Sequence, residues 1–211
     1  MSKKGSCRLY LITPPQLDDP HAFAASLPQI FKAGDVACLQ LRLKPLGDDL
    51  IGQVVEVLKP VCEYHNVALI LNDRPDLSAK LDCDGVHIGP NDMPYDAARA
   101  LVGDDALVGV SCRTSRHEAM ILADAGADYV AFGAFFPSQT KIDADLATAD
   151  ILEIWSETTN VPCVAIGGIT PSNCSPLIQA GADFLAVSAG VWAHPANPIE
   201  AVRLFCEKMS K

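Results

Sequence analysis

Short apolar runs recur along this chain at an even rhythm, with a longer segment of helical periodicity between most neighbours. The runs cover residues 7–13, 36–41, 67–72, 85–88, 107–111, 129–133, 163–167 and 184–188. Each has the length of a strand buried on both faces, the signature of a parallel sheet covered by helices. Residues 50–64 place Ile51, Val54, Val55, Val57 and Leu58 at helical spacing, and residues 117–125 read the same way. Three intervening helices end alike, in Lys32-Ala-Gly-Asp35, Asp124-Ala-Gly-Ala-Asp128 and Gln179-Ala-Gly-Ala-Asp183. In each, the glycine is expected to take a left-handed conformation that stops the helix before the next strand. Eight strands alternating with helices predict an α/β fold, a single (β/α)8 TIM barrel. The rival, a doubly wound open sheet, usually carries Gly-x-Gly-x-x-Gly after its first strand, where this chain has Thr13-Pro14-Pro15. Residues 1–211 therefore read as one domain with no linker.

Composition narrows the class of function. Apolar residues make up 49% of the 211, enough for a sizeable core. The net charge of −10 argues against a nucleic-acid surface. No apolar run reaches the ~18 residues of a membrane-spanning helix, and Met1-Ser-Lys-Lys-Gly-Ser-Cys7 lacks the apolar stretch of a secretory signal. The eight cysteines are scattered, with no Cys-x-x-Cys pair. They read as reduced, buried thiols of a cytoplasmic protein rather than a disulfide framework or a zinc site. Any anion site must then be a local basic pocket on an acidic body.

The second run supplies such a pocket. In Val36-Ala-Cys-Leu-Gln-Leu-Arg-Leu-Lys44, strand alternation puts Gln40, Arg42 and Lys44 on one side and Leu39, Leu41 and Leu43 on the other. A solvated edge strand would show the same alternation. In a barrel, working residues lie at the C-terminal ends of strands. Those ends also carry Asn72-Asp73-Arg74, Gly89 to Asp92, Ser111, the segment Phe135 to Lys141, Gly167-Gly168 and Ser188-Ala189-Gly190.

Four features of this rim bear on chemistry. Gly167-Gly168, followed by Ile169-Thr170-Pro171-Ser172 opening a helix, and Ser188-Ala189-Gly190 offer backbone N–H groups to a phosphate, or simply make tight turns. Ser138-x-Thr140-Lys141 gathers two hydroxyls and an ammonium suited to phosphate oxygens, though a solvated loop reads alike. Asp73 and Asp92 would suit Mg²⁺ beside a phosphate; alternatively, Asp92 caps the next helix and Asp73 pairs with Arg74. Finally, no histidine pairs with a serine or cysteine as base and nucleophile, and His87 reads as a satisfied core residue. The site looks built for electrostatics rather than covalent catalysis.

Taken in order, these residues resemble the thiamine-phosphate synthase (thiamine-phosphate pyrophosphorylase) family over nearly the whole chain. The resemblance rests on Gln40-Leu-Arg-Leu-Lys44, Leu71-Asn-Asp73, Asp84-Gly-Val-His-Ile-Gly89 with Asp92, Gly109-Val-Ser111, Ala127-Asp-Tyr-Val130, Ser138-Gln-Thr-Lys141 and Ala165-Ile-Gly-Gly-Ile169. It implies a transferase that joins a pyrimidine diphosphate to a thiazole phosphate, releasing pyrophosphate. By that resemblance Arg42, Lys44, Asn72, Ser138, Thr140 and Lys141 would hold the diphosphate, with Mg²⁺ on Asp73 and Asp92. Ser111 would lie near the reacting centre, and Arg42, Lys44, Ser111 and Lys141 would carry the catalysis. Gln40 would help hold the pyrimidine, and Gly167, Gly168, Val187 and Ser188 would take the thiazole's phosphate. Partners would be these small molecules, with no nucleic acid or membrane, and a homo-oligomer is left open.

The chain departs from the family's usual pattern at Pro14, where aspartate is common, at Pro90, where glutamine is usual, and at Ser138, where threonine is usual. The loop after Lys141 also lacks a glycine often seen there. Two other readings of the same barrel are a thiazole tautomerase and a non-catalytic phosphate or thiazole binder. The tautomerase uses a histidine two residues after the Gly-x-Ser serine, where this chain has Arg113.

Overall fold

The computed structural model describes residues 6–43, 47–137 and 146–210. Strands β1 (Arg8–Ile12), β2 (Val36–Leu41), β3 (Ala68–Asn72), β4 (Gly85–Ile88), β5 (Leu107–Arg113), β6 (Tyr129–Gly133), β7 (Cys163–Ile166) and β8 (Phe184–Val187) follow one another in the expected rhythm. Helices α1 (Pro20–Lys32), α2 (Asp48–Tyr64), α3 (Pro75–Lys80), α4 (Tyr95–Val102), α5 (Arg116–Asp124), α6 (Asp150–Thr158) and α7 (Ser175–Gln179) separate them, and α8 (Ala189–Trp192) and α9 (Pro198–Met209) complete the chain. Each strand pairs in parallel with its sequence neighbours, and β1 pairs with β8, so the sheet closes in the order β1 to β8. The fold is a (β/α)8 barrel. Because β2 is hydrogen-bonded to β1 on one side and β3 on the other, it is not a solvated edge.

The period of two along each strand divides the core. Leu39 and Leu41 belong to the large apolar cluster under the helices, with Leu43 packed against it. Tyr10, Ile12, Cys38, Ile70, Tyr129, Ala131, Val164 and Ala186 form a second cluster. By alternation these residues point inward, and Gln40, two residues after Cys38, is buried with them. Burying both faces is what makes the strands legible as continuous apolar runs.

At the N-terminal end of the barrel, an aspartate that precedes a strand repeatedly ties down the strand before it. Asp84 Oδ2 accepts from Leu69 N at 2.7 Å, Asp128 Oδ2 from Val108 N at 2.7 Å, and Asp183 Oδ2 from Cys163 N at 2.8 Å. Asp35 instead accepts from Arg8 Nε at 2.8 Å. These acids satisfy exposed strand ends on the face of the barrel that carries stability rather than chemistry.

The expected glycine stops hold in two of the three helices. Gly126 (φ 104°) and Gly181 (φ 92°) are left-handed, but Gly34 is not. What position 34 requires is a missing side chain, because a Cβ there would collide with Cys206 Sγ of α9. The expected helix at 170–172 is likewise a turn, and α7 begins only at Ser175. Asn173 explains this: its Oδ1 accepts from Thr170 N at 2.8 Å and its Nδ2 donates to Gly168 O at 3.0 Å, competing with helical bonds. All eight cysteines are reduced thiols, and seven are buried. Among the described residues no helix is long and apolar enough to cross a membrane.

Candidate active site

The C-terminal ends of the strands bring many of the expected residues to one mouth. Lys44, Ser138, Thr140 and Lys141 lie outside the described residues. Arg42 follows the last residue of β2, and its backbone is held by Thr13, whose Oγ1 accepts from Arg42 N at 3.0 Å. Among the described residues the Arg42 guanidinium makes no ion pair; the salt bridges there involve other cations. Its charge nonetheless reaches Asp73 and His87, lowering the proton affinity of both.

Asp73 and Asp92 face each other within hydrogen-bonding reach. Asp73 sits immediately after β3 in the left-handed region (φ 62°), a strained conformation for a non-glycine residue, with its N–H donated to His87 O at 2.8 Å. Burial, and then the neighbouring Asp92, push its carboxyl up to about 6, against opposing pulls from Asn72 and Arg42. Asn72 thus acts on Asp73, its chain neighbour. Neither structural alternative for this pair holds. α4 is capped at Pro94, and Asp92 Oδ2 instead accepts from Gly89 N at 2.8 Å. Arg74 pairs with Asp48 at 2.6 Å and Asp76 at 2.7 Å, not with Asp73.

Across the mouth, Gly167 (φ 108°) and Gly168 (φ 63°) bend the chain after β7, and a Cβ on Gly167 would strike Ala134. Ser188 Oγ donates to Thr13 O at 3.2 Å, so its proton is spent on β1. Val187 is buried in the cluster under the helices and can reach the mouth only through its backbone. Thr13 is therefore a hub that joins the Arg42 and Ser188 sides of the site. Sequence reading placed Thr13 at the end of the first strand but gave it no role, because its partners Arg42 and Ser188 lie at the ends of other strands.

Ser111 lines a cavity of about 270 Å³ together with Gly89 and Asp92. Behind it lies His87, buried as expected and bonded at both ring nitrogens, to Tyr129 Oη at 3.1 Å and to Ser111 Oγ at 2.8 Å. Burial pushes the His87 imidazole down to about 4. Gln40 is 3% exposed and donates to Tyr10 Oη at 3.1 Å. Tyr10 and Tyr129 were not foreseen as part of the site. Their signal was present: a tyrosine at an inward position must find a partner for its hydroxyl, and Gly109 leaves the space that the Tyr129 ring fills.

A parallel eight-stranded barrel whose C-terminal mouth carries an arginine with no ion-pair partner among the described residues, a carboxyl pair and a glycine-lined turn is a barrel of the enzyme kind, its working groups gathered at the strand ends. The family model described as thiamine monophosphate synthase matches residues 9–191. A thiamine-phosphate synthase of Rhodospirillum centenum is 59% identical over 199 residues, covering 94% of this chain and 96% of that protein. One from Hyphomonas neptunium is 51% identical over 203 residues, covering 94% and 91%. The chain belongs to the thiamine monophosphate synthase family. A thiamine phosphate pyrophosphorylase from Pyrococcus furiosus superposes with a TM-score of 0.84 at 27% identity, over 96% of this chain and 95% of that one. A (S)-3-O-geranylgeranylglyceryl phosphate synthase from Thermoplasma acidophilum, at 15% identity and a TM-score of 0.70 over 98% and 94%, shares the fold alone.

Proposed function

We propose that this mouth joins 4-amino-5-hydroxymethyl-2-methylpyrimidine diphosphate to hydroxyethylthiazole phosphate, giving thiamine phosphate and pyrophosphate. The observation that carries the reading is the charge arrangement: Arg42 without an ion-pair partner among the described residues, set near a carboxyl pair whose members repel each other. An unpaired cation calls for an anion and a repelling carboxyl pair calls for a cation; a diphosphate with a divalent ion supplies both. The synthases at 59% and 51% identity support the same chemistry.

The donor set fits Mg²⁺, a hard ion that takes one or two carboxylates and completes its shell with water and substrate oxygens. Among the described residues no group of three or more His, Cys, Asp or Glu converges. Asp73 and Asp92 would hold the ion, which when bound adds positive charge beside the leaving diphosphate. Arg42, with Lys44, Ser138, Thr140 and Lys141, grips the diphosphate oxygens, and Asn72 steadies Asp73. Gln40 borders the pyrimidine ring. Gly167, Gly168, Val187 and Ser188 meet the thiazole's phosphate through backbone N–H groups, since the Ser188 proton is already engaged.

In the reaction, the bond between the pyrimidinylmethyl carbon and the bridging diphosphate oxygen breaks, and its electron pair leaves with the oxygen. The electron-rich aminopyrimidine ring tolerates the resulting cation, and the thiazole nitrogen lone pair closes the new C–N bond. The nucleophile carries no proton to remove, so the site needs donors on the leaving group and two rings held in line. Ser111 is one such donor. The reaction belongs in a reducing cytoplasm, a placement that eight cysteines outside any disulfide support.

Crystals grown with sulfate test the layout. The reading expects one anion at Gly167 and Ser188 and a second between Arg42 and Lys141. An anion at the first position alone would favour a tautomerase or a binder.

A further inference from the structure

Five side chains form an unbroken hydrogen-bonded chain through the barrel interior. Gln40 Nε2 lies 3.1 Å from Tyr10 Oη, and Tyr10 Oη 2.9 Å from Tyr129 Oη. Tyr129 Oη lies 3.1 Å from His87 Nδ1, and His87 Nε2 2.8 Å from Ser111 Oγ. The chain passes through β2, β1, β6, β4 and β5 in turn. Its first four members are buried, and among the described residues no buried side-chain nitrogen or oxygen lacks a partner.

With the Gln40 amide nitrogen facing Tyr10, counting protons sets the direction of every bond. An amide nitrogen only donates, so Tyr10 accepts from Gln40 and its single proton goes to Tyr129. Tyr129 then accepts from Tyr10 and gives its own proton to His87 Nδ1. A ring nitrogen that accepts is bare, so the imidazole proton sits on Nε2 and is donated to Ser111 Oγ. The Ser111 hydroxyl proton is left over, and Ser111 is the one member that lines the cavity it shares with Asp92.

We propose that His87 is a positioning residue: through this one-way chain, anchored at Gln40, it holds Ser111 with its hydroxyl proton aimed out of the barrel interior, as a donor to the departing diphosphate oxygen. The identity of that oxygen rests on the synthase reading; the direction of the chain does not. The arrangement also means that His87 cannot accept the Ser111 proton, so the 2.8 Å contact is not a nucleophile–base pair. A Gln40 amide turned the other way would reverse all four bonds and make His87 Nε2 that base.

Two measurements decide the matter. In the ¹⁵N-labelled full chain, the ring nitrogen signals of His87 are expected to show a protonated Nε2 and a bare Nδ1; the opposite tautomer overturns the proposal. In kinetics, Tyr129→Phe keeps the ring but removes the link, and kcat should fall ~10–10²-fold with little change in either KM, the size of a misplaced catalytic group. In a Ser111→Ala background the same substitution should cost nothing further, whereas an equal cost in both backgrounds overturns the proposal. Should Tyr129→Phe fail to fold, Tyr10→Phe breaks the chain one bond earlier and is read in the same way. If the wild-type protein forms no thiamine phosphate, the synthase reading fails by itself, and the tautomer still decides the chain's direction.

Discussion

The carboxyl groups of Asp73 and Asp92 meet across the ends of β3 and β4, each held there by a different device. Asp73 is fixed by a left-handed backbone bonded to His87 O at 2.8 Å, and Asp92 by accepting from Gly89 N at 2.8 Å. Burial, and then the neighbouring Asp92, makes Asp73 sensitive to pH. With Asp73 raised from 3.8 to about 6, its stabilising contribution is fully present below the ordinary value and is lost as pH rises through about 6. Mg²⁺ binding needs the carboxylate form, so the ion should raise Tm at pH 8 and far less at pH 5. Discounted for solvent screening, the relief is roughly 1 kcal/mol, or ~2–4 °C. Asp73→Asn should abolish the Mg²⁺-dependent rise while leaving the metal-free protein at least as stable. Calorimetry at both pH values checks this, and an undiminished rise at pH 5 would contradict it.

Arg42 has no carboxylate to lose among the described residues, so replacing it separates activity from folding. Arg42→Ala should lower kcat/KM by ~10²–10³-fold, as for a lost oxyanion donor. Stability should stay within about 0.5 kcal/mol. Arg42→Lys keeps the charge but not the planar fork and should fall between the two. Lys141→Ala should show a loss comparable to that of Arg42→Ala. Steady-state rates beside melting curves give both readings.

Gly34 and Gly126 follow their helices in the same Ala-Gly setting for different reasons, and substitution distinguishes them. Gly34→Ala places a Cβ against Cys206 Sγ, with Val202 Cγ1 next at 2.9 Å. Overpacking of this kind costs ~1–3 kcal/mol, and Cys206→Ala should recover part of it. Gly126→Ala instead strains a backbone at φ 104°. That cost should be indifferent to Cys206→Ala, which denaturant titration of the four variants will show.

His87, pushed down to about 4 by burial, stays neutral across the working range. A depressed histidine adds stability that is full above its ordinary value near 6.5 and is lost as pH falls through about 4. Its ring C–H resonance should titrate near 4 in the folded protein, while a midpoint near 6.5 would mean that the buried chain is not formed.

The barrel was legible because strands buried on both faces are written as apolar runs, and the ends of β2, β4 and β6 match the sequence reading residue for residue. β5 runs on to Arg113, since a register shift between Ser111 and Arg113 keeps its pairing with β6. The carboxyl pair and Arg42 could be placed from strand ends alone. What stayed hidden were contacts between distant strands: Thr13 with Arg42 and Ser188, and Tyr10 with Tyr129 across 119 residues. A period of two says which residues face inward, but not which of them touch. Gly34 misled for a related reason, since Ala-Gly before aspartate reads alike whether the glycine supplies a left-handed bend or room for a packed sulfur.

The most direct test supplies the purified protein with the pyrimidine diphosphate, the thiazole phosphate and Mg²⁺, and follows both products. The expected result is thiamine phosphate and pyrophosphate formed in equal amounts, with EDTA stopping both. No thiamine phosphate at saturating substrates would contradict the assignment of this mouth as a synthase.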